Sequence, residues 1–146
     1  MNCSRRARSF LLLFLGLVLQ SGMVGCGGRG LCQVKGQVVY KDGSDVSVLA
    51  RGLVVFDPAE AEMPKVNSRG EIQKDGSFQM STYSEGDGVH PGKYRVMVTQ
   101  PPFLRKNRDD VRPRLIDERY QDFETSGLEA TVTGPMTDYT VTVQKP

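Results

Sequence analysis

The stretches GEIQKDGSFQMST (70–82) and, after an acidic glycine-rich turn, PGKYRVMVT (91–99) decide the fold. Ile72, Phe78, Met80, Tyr94, Val96 and Val98 fall at every second position of three runs, with mostly polar residues between them. That is the period of half-buried β-strands, because successive strand side chains point to opposite faces. The tetrapeptide KDGS at 74–77 supplies turn chemistry between the first two runs, since Asp-Gly tolerates a positive φ.

Upstream, QVKGQVVYK (33–41) puts Val34, Gly36, Val38 and Tyr40 on one face and ends in a second KDGS at 41–44. The repeat predicts a second hairpin turn of the same chemistry rather than a duplicated unit, because the flanking strands match only in their alternation. Residues 52–58 are apolar on both faces until Asp57-Pro58, which predicts a central or covered strand. Residues 59–68 show no period and read as a surface loop. Downstream, Pro101-Pro102 ends the strand at 93–99, and residues 105–124 mix basic and acidic side chains without regularity. Within them Ile116, Tyr120 and Phe123 lie at i, i+4, i+7 and allow one or two helical turns. Residues 128–132 and 139–143 alternate again and predict a closing pair of strands joined by GPMTD (134–138).

The inward positions are then Val34, Val38, Tyr40, Val54, Phe56, Ile72, Phe78, Met80, Tyr94, Val96, Val98, Leu128, Val132, Tyr139, Val141 and Val143. Such a core needs no disulfide, and the strand spacing predicts an all-β, seven-stranded, Ig-like or prealbumin-like antiparallel β-sandwich.

The first 25 residues have a different grammar. Residues 1–9 are basic, residues 10–19 almost wholly apolar, and SGMVG (21–25) shifts to small residues before Cys26. This is the three-part pattern of an export signal. Read as a membrane span, residues 10–24 would cover only about 22 Å of a hydrocarbon core roughly 30 Å thick. Removing residues 1–25 takes away Arg5, Arg6 and Arg8, leaving 16 basic residues against 17 acidic ones. That balance gives no electrostatic footprint for a nucleic acid. The expected organisation is a signal peptide at 1–25, a tether at 26–32 and one β-sandwich domain at 33–146.

The sequence MVGC (23–26) resembles the bacterial lipobox, with Met23 where leucine is usual. The resemblance implies that diacylglycerol is attached to the Cys26 thiol, that the signal is cut before it, and that the new amino terminus is acylated, as in a palmitate-bearing lipoprotein. Gly28 and Gly30 would supply a flexible tether. Cys3 leaves with the leader, so Cys32 has no partner for an intramolecular disulfide unless Cys26 stays unlipidated, when a Cys26–Cys32 bridge becomes the rival. Cys32 itself reads as a small apolar residue at the start of the first strand.

The order of motifs also resembles a family. VKGQVVYKDG (34–43), GLVVFDP (52–58), GEIQKDGSF (70–78), GDGVHPGKYRV (86–96) and TSGL (125–128) together look like the small bacterial lipoproteins that carry a carboxypeptidase regulatory-like, transthyretin-like domain. The resemblance spans nearly all of the chain after the leader. It implies a prealbumin-like sandwich on an exported, anchored protein, and it transfers no catalytic residue. Residues 44–51 depart from it, being longer than the family's turn and lacking its proline.

Chemistry is sparse. His90 is the only histidine, and nothing near it has the spacing of a Ser/His/Asp or zinc site. The transthyretin-like hydrolases use several histidines and a tyrosine-containing C-terminal tail, whereas this chain ends TVQKP (142–146). Asp42 and Asp45, and Glu85 and Asp87, cluster oxygens without matching a calcium loop, and turn chemistry accounts for them. Glycan binding would want exposed aromatics, and the core takes most of them. The residues therefore predict no catalytic group, no cofactor and no metal. Together with the anchor that the lipobox resemblance implies, they point to an exported module in the cell envelope, on the periplasmic or cell-surface side, for adhesion, scaffolding or complex assembly with an envelope protein as partner, and with glycan or metal binding or hydrolysis near His90 and Asp87 as the alternative. The charged loop 105–124 is the candidate contact surface; the bland reading is a solvated connection whose charges pair among themselves.

Overall fold

A computed structural model describes residues 30–146. Seven strands form two sheets: β1 (Val34–Tyr40), β2 (Leu53–Pro58), β3 (Ser68–Glu71), β4 (Ser77–Gln79), β5 (Gly92–Thr99), β6 (Leu128–Val132) and β7 (Met136–Val143). One sheet has the order β4-β1-β7 and the other β3-β2-β5-β6. The expected all-β sandwich is observed.

The arrangement is not antiparallel throughout, because β1 and β7 run parallel. The chain reverses direction at every connection, so odd-numbered strands all run one way and even-numbered strands the other. Pairs of mixed parity are antiparallel, as in β1·β4, β2·β3, β2·β5 and β5·β6. The one pair of like parity must be parallel. Two expected hairpins are corrected by the same topology. The turn after β1 leads to β2 in the other sheet, and β6 and β7, expected to pair with each other, lie in different sheets. The hairpin at 73–77 does form, with Gln73 N–H donating to the Ser77 carbonyl at 2.8 Å. Its arms then join separate sheets and stay linked through the Arg69–Ser81 bridge.

Fourteen of the sixteen inward positions are buried; Leu128 and Tyr139 are half-buried and pack against the same cluster. β2 is a central strand, which explains its two apolar faces: Val54 and Phe56 are fully buried, and Val55 on the outer side is 9% exposed. Phe56 meets Tyr94 and Tyr139 at ring centroid distances of 5.3 and 5.6 Å. The loop at 59–67 contributes Met63, and the irregular segment contributes Ile116 and Tyr120, to the core. The helical turn allowed there is a 3₁₀ turn at Glu118–Gln121, capped by the Asp117 carboxylate accepting from the Arg119 N–H. Leu31 and Cys32 are buried, and Cys32 pairs with Val89 in a short bridge. Among the described residues the cluster runs from Cys32 to Val143.

Direction alternates between two poles. The chain enters β1 at one pole, which also carries the loops 59–67, 81–91 and 133–135. The other pole carries 41–52, 72–76, the long connection 100–127 and the C-terminus.

Candidate functional site

At the pole where the chain enters, the GDGVHPG loop is a self-contained turn. The Asp87 carboxylate accepts from three successive amides, Thr82 N–H at 2.7 Å, Tyr83 N–H at 3.0 Å and Ser84 N–H at 2.9 Å. Both of its oxygens thus close the loop. Gly88 has φ +96°, and a Cβ there would stand 2.2 Å from the Cys32 carbonyl oxygen, so only glycine lets the loop lie against the start of the domain.

His90 is half-buried beside Asp87. Its Nε2 is 2.9 Å from the Tyr83 hydroxyl, the two rings meet edge to face, and the His90 carbonyl accepts from the Tyr94 hydroxyl at 2.7 Å. Burial pushes the Tyr94 phenol up to about 12, with nearby Cys32 and Tyr83 adding to the shift. These contacts fix the shape of the loop, and the group they bring to the His90 ring is the Tyr83 hydroxyl. Tyr83 is 48% exposed, and it is not one of the inward positions that the alternation picks out.

A shallow groove of about 790 Å³ runs beside this loop. Tyr83, Ser84, Glu85 and Gly86 form one wall, and Lys35, Arg69, Glu71 and Gln79 project from β1, β3 and β4 along the others. His90 and Asp87 are not among its lining residues. Among the described residues, no three His, Cys, Asp or Glu side chains converge as a metal site requires.

The two KDGS turns have the same hydrogen bonds. The Asp42 carboxylate accepts from the Ser44 N–H and hydroxyl, and the Asp75 carboxylate accepts from the Ser77 N–H and hydroxyl. These bonds hold both carboxyls below the usual range. Their oxygens serve the turns.

At the opposite pole, the long connection is pinned at its base and bare at its tip. The Gln100 side chain accepts from the Leu115 N–H at 2.5 Å, the Leu115 carbonyl accepts from the Tyr40 hydroxyl at 2.8 Å, and Arg112 donates to the carbonyls of Gln100 and Pro101. Asp110 accepts from the amides of Lys106 and Asn107 at 2.7 and 3.0 Å, which shapes the tip. Further on, Arg95 of β5 pairs with Asp57 at 2.5 Å and with Glu124, tying the end of the connection to the sheet. The charges of 105–124 do not simply pair with one another: within that range the one ion pair among the described residues is Arg119–Asp117, at 4.0 Å.

Phe103, Leu104 and Val111 are exposed at the tip, at 36%, 84% and 84%. The sequence signal for them is faint: three apolar residues without any period inside a charged run.

Cys26 and the leader lie outside the described residues, as does most of the tether. Cys32 is buried. Comparison of the chain with protein-family models, curated proteins and solved structures finds no match.

Proposed function

We propose that this chain is a non-catalytic module of the cell envelope, held on a membrane by lipid on Cys26, and that it serves adhesion, scaffolding or the assembly of a larger complex. The observation that carries the reading is the spacing of MVGC (23–26) against the fold. An apolar run ends at a lipobox-like cysteine, and Leu31, five residues later, is already buried in the domain. Four peptide steps from Cys26 to Gly30 span at most about 14 Å. A lipid there would hold the domain close to the bilayer by the pole where β1 begins. Two or three acyl chains suffice for stable attachment where one is marginal.

The finer fold reading is a prealbumin-like sandwich of the carboxypeptidase regulatory-like type. Its support is the order of the five motifs together with the division of the strands into sheets of three and four. The non-catalytic reading is supported by the use of Asp87 and His90 as loop fasteners.

Replacing Cys26 with Ser tests the anchor. The variant should accumulate as an uncut precursor without incorporated fatty acid, and continued labelling would overturn the reading. A second reading, ligand binding, is favoured by the polar groove beside the exposed Tyr83. Calorimetric titration of the wild type and His90→Ala with divalent metals and small glycans separates the two, since a scaffold gives no saturable heat.

A further inference from the structure

We propose that the tip of the loop 103–114 is a membrane-contact element that docks on an anionic bilayer, inserting Leu104 and Val111 among lipid headgroups while the basic side chains beside them meet the lipid charge. Of the five large hydrophobic side chains exposed among the described residues, three lie on this loop. Leu104 and Val111 are each 84% exposed. A protein partner would need a matching pocket for each protruding side chain; a fluid bilayer interface accepts them without one.

The charge around them is one-sided. Arg105, Lys106, Arg108, Arg112 and Arg114 stand against Asp109 and Asp110. Asp110 is engaged by the loop's own amides, and Arg112 by carbonyls at the base. Arg105, Lys106, Arg108 and Arg114 form no ion pair with a described residue. Apolar tips ringed by cations are the chemistry of interfacial binding, in which buried apolar area and attraction to anionic lipid add together. Each basic residue near such a surface strengthens binding about fivefold. The hydrogen bonds from Gln100, Arg112 and Tyr40 hold the loop base in place, so docking orders little new chain.

The inference stands on the loop and is independent of Cys26. Should both hold, the geometry gains a consequence. The tether enters at one pole and the loop projects from the other, separated by the length of β1, about 23 Å at ~3.3 Å per residue. Engaging one bilayer at both poles lays the strands along the membrane surface.

The test uses residues 27–146, which contain every core residue named above and lack both leader and Cys26, with far-UV circular dichroism verifying the fold. Sedimentation is measured with vesicles of phosphatidylcholine and phosphatidylglycerol at 3:1, and with pure phosphatidylcholine. Binding to the anionic vesicles alone is expected, weakened by salt, and reduced at least about tenfold in Leu104→Asp/Val111→Asp, whose changes fall at exposed positions with no fold to disturb. The chain has no tryptophan, so Leu104→Trp is a sole reporter whose emission should shift to the blue on the anionic vesicles. Absence of binding, equal binding to both vesicle types, or undiminished binding by the double variant would overturn the proposal. None of those outcomes bears on fatty-acid labelling at Cys26, so the two readings fail separately.

Discussion

Gly36 shows how much a single missing side chain decides. It lies between Val34 and Val38 on β1, against the Phe78 ring and the Tyr139 backbone. A Cβ at this position would lie 2.2 Å from the Tyr139 carbonyl oxygen and 2.6 Å from Phe78 Cζ. The aromatic ring could turn aside; the backbone oxygen of a paired strand could not. Gly36→Ala is therefore expected to destabilise by about 2–3 kcal/mol and to lower the melting temperature by roughly 10 °C. A melting temperature within about 2 °C of wild type would mean that β7 yields more readily than its pairing with β1 suggests. The alternation places Gly36 on the inner face, but no period says that a ring and a carbonyl will close over it. That closure comes from an irregular register: Val34 aligns with Met136 but Gly36 with Tyr139, so β7 carries one residue more than β1 over this span. The extra residue resets the parity of β7. The sequence alternates only from Tyr139 onward for that reason, and the first residues of the strand are illegible as strand.

At the scale of elements, the two KDGS turns separate local chemistry from tertiary consequence. Both glycines adopt positive φ, +71° at Gly43 and +84° at Gly76, and both aspartates make the same bonds to the serine two residues on. The sequence alone reveals these turns because an Asp-Gly-Ser turn is decided within four residues. The path of the chain beyond each turn is decided by distant contacts. The segment after Gly43 crosses to the other sheet, while Gly76 sits against β1 with its N–H bonded to Gln73 and its carbonyl accepting from Val38. A Cβ on Gly43 would meet nothing within 4 Å, whereas one on Gly76 would stand 2.5 Å from the Val38 carbonyl oxygen and 2.8 Å from Val46 Cγ1. Gly43→Ala should thus cost only the left-handed backbone penalty, about 1 kcal/mol. Gly76→Ala adds overlap with β1 and should cost about 2–4 kcal/mol. Chemical denaturation of the two variants side by side checks this, and equal losses would show that the turns are interchangeable after all. The contact loop is legible in the same partial way: its charge and irregularity mark it as a surface, while the burial of Ile116 and Tyr120 and the bareness of Leu104 and Val111 depend on which sheet edge lies beneath.

For the whole molecule, the buried phenols tie the core to solution pH. Tyr94 is closed in the interior against Phe56, and Tyr139 packs between Phe56 and Phe78 where the two sheets meet. Burial raises both, each to about 12, because the phenolate would lose its hydration inside the sandwich. In the unfolded chain the same groups ionise near 10. Below about pH 10 neither state loses these protons, so their contribution to stability is constant there. Between about 10 and 12 the unfolded chain releases protons that the native state keeps, and stability falls with rising pH by up to about 1.4 kcal/mol per pH unit for each tyrosine. Two of the five tyrosines should accordingly ionise only near pH 12, or earlier in step with unfolding, when tyrosinate absorbance is followed in the native protein. Tyr94→Phe gives up the 2.7 Å bond to the His90 carbonyl and should be about 1 kcal/mol less stable at neutral pH. It should also lose stability less steeply above pH 10. Simultaneous titration of all five phenols near pH 10 in a protein whose circular dichroism remains native would contradict the closed junction of the two sheets, because a phenolate formed there without unfolding would require water where Phe56, Phe78 and the two tyrosines now pack.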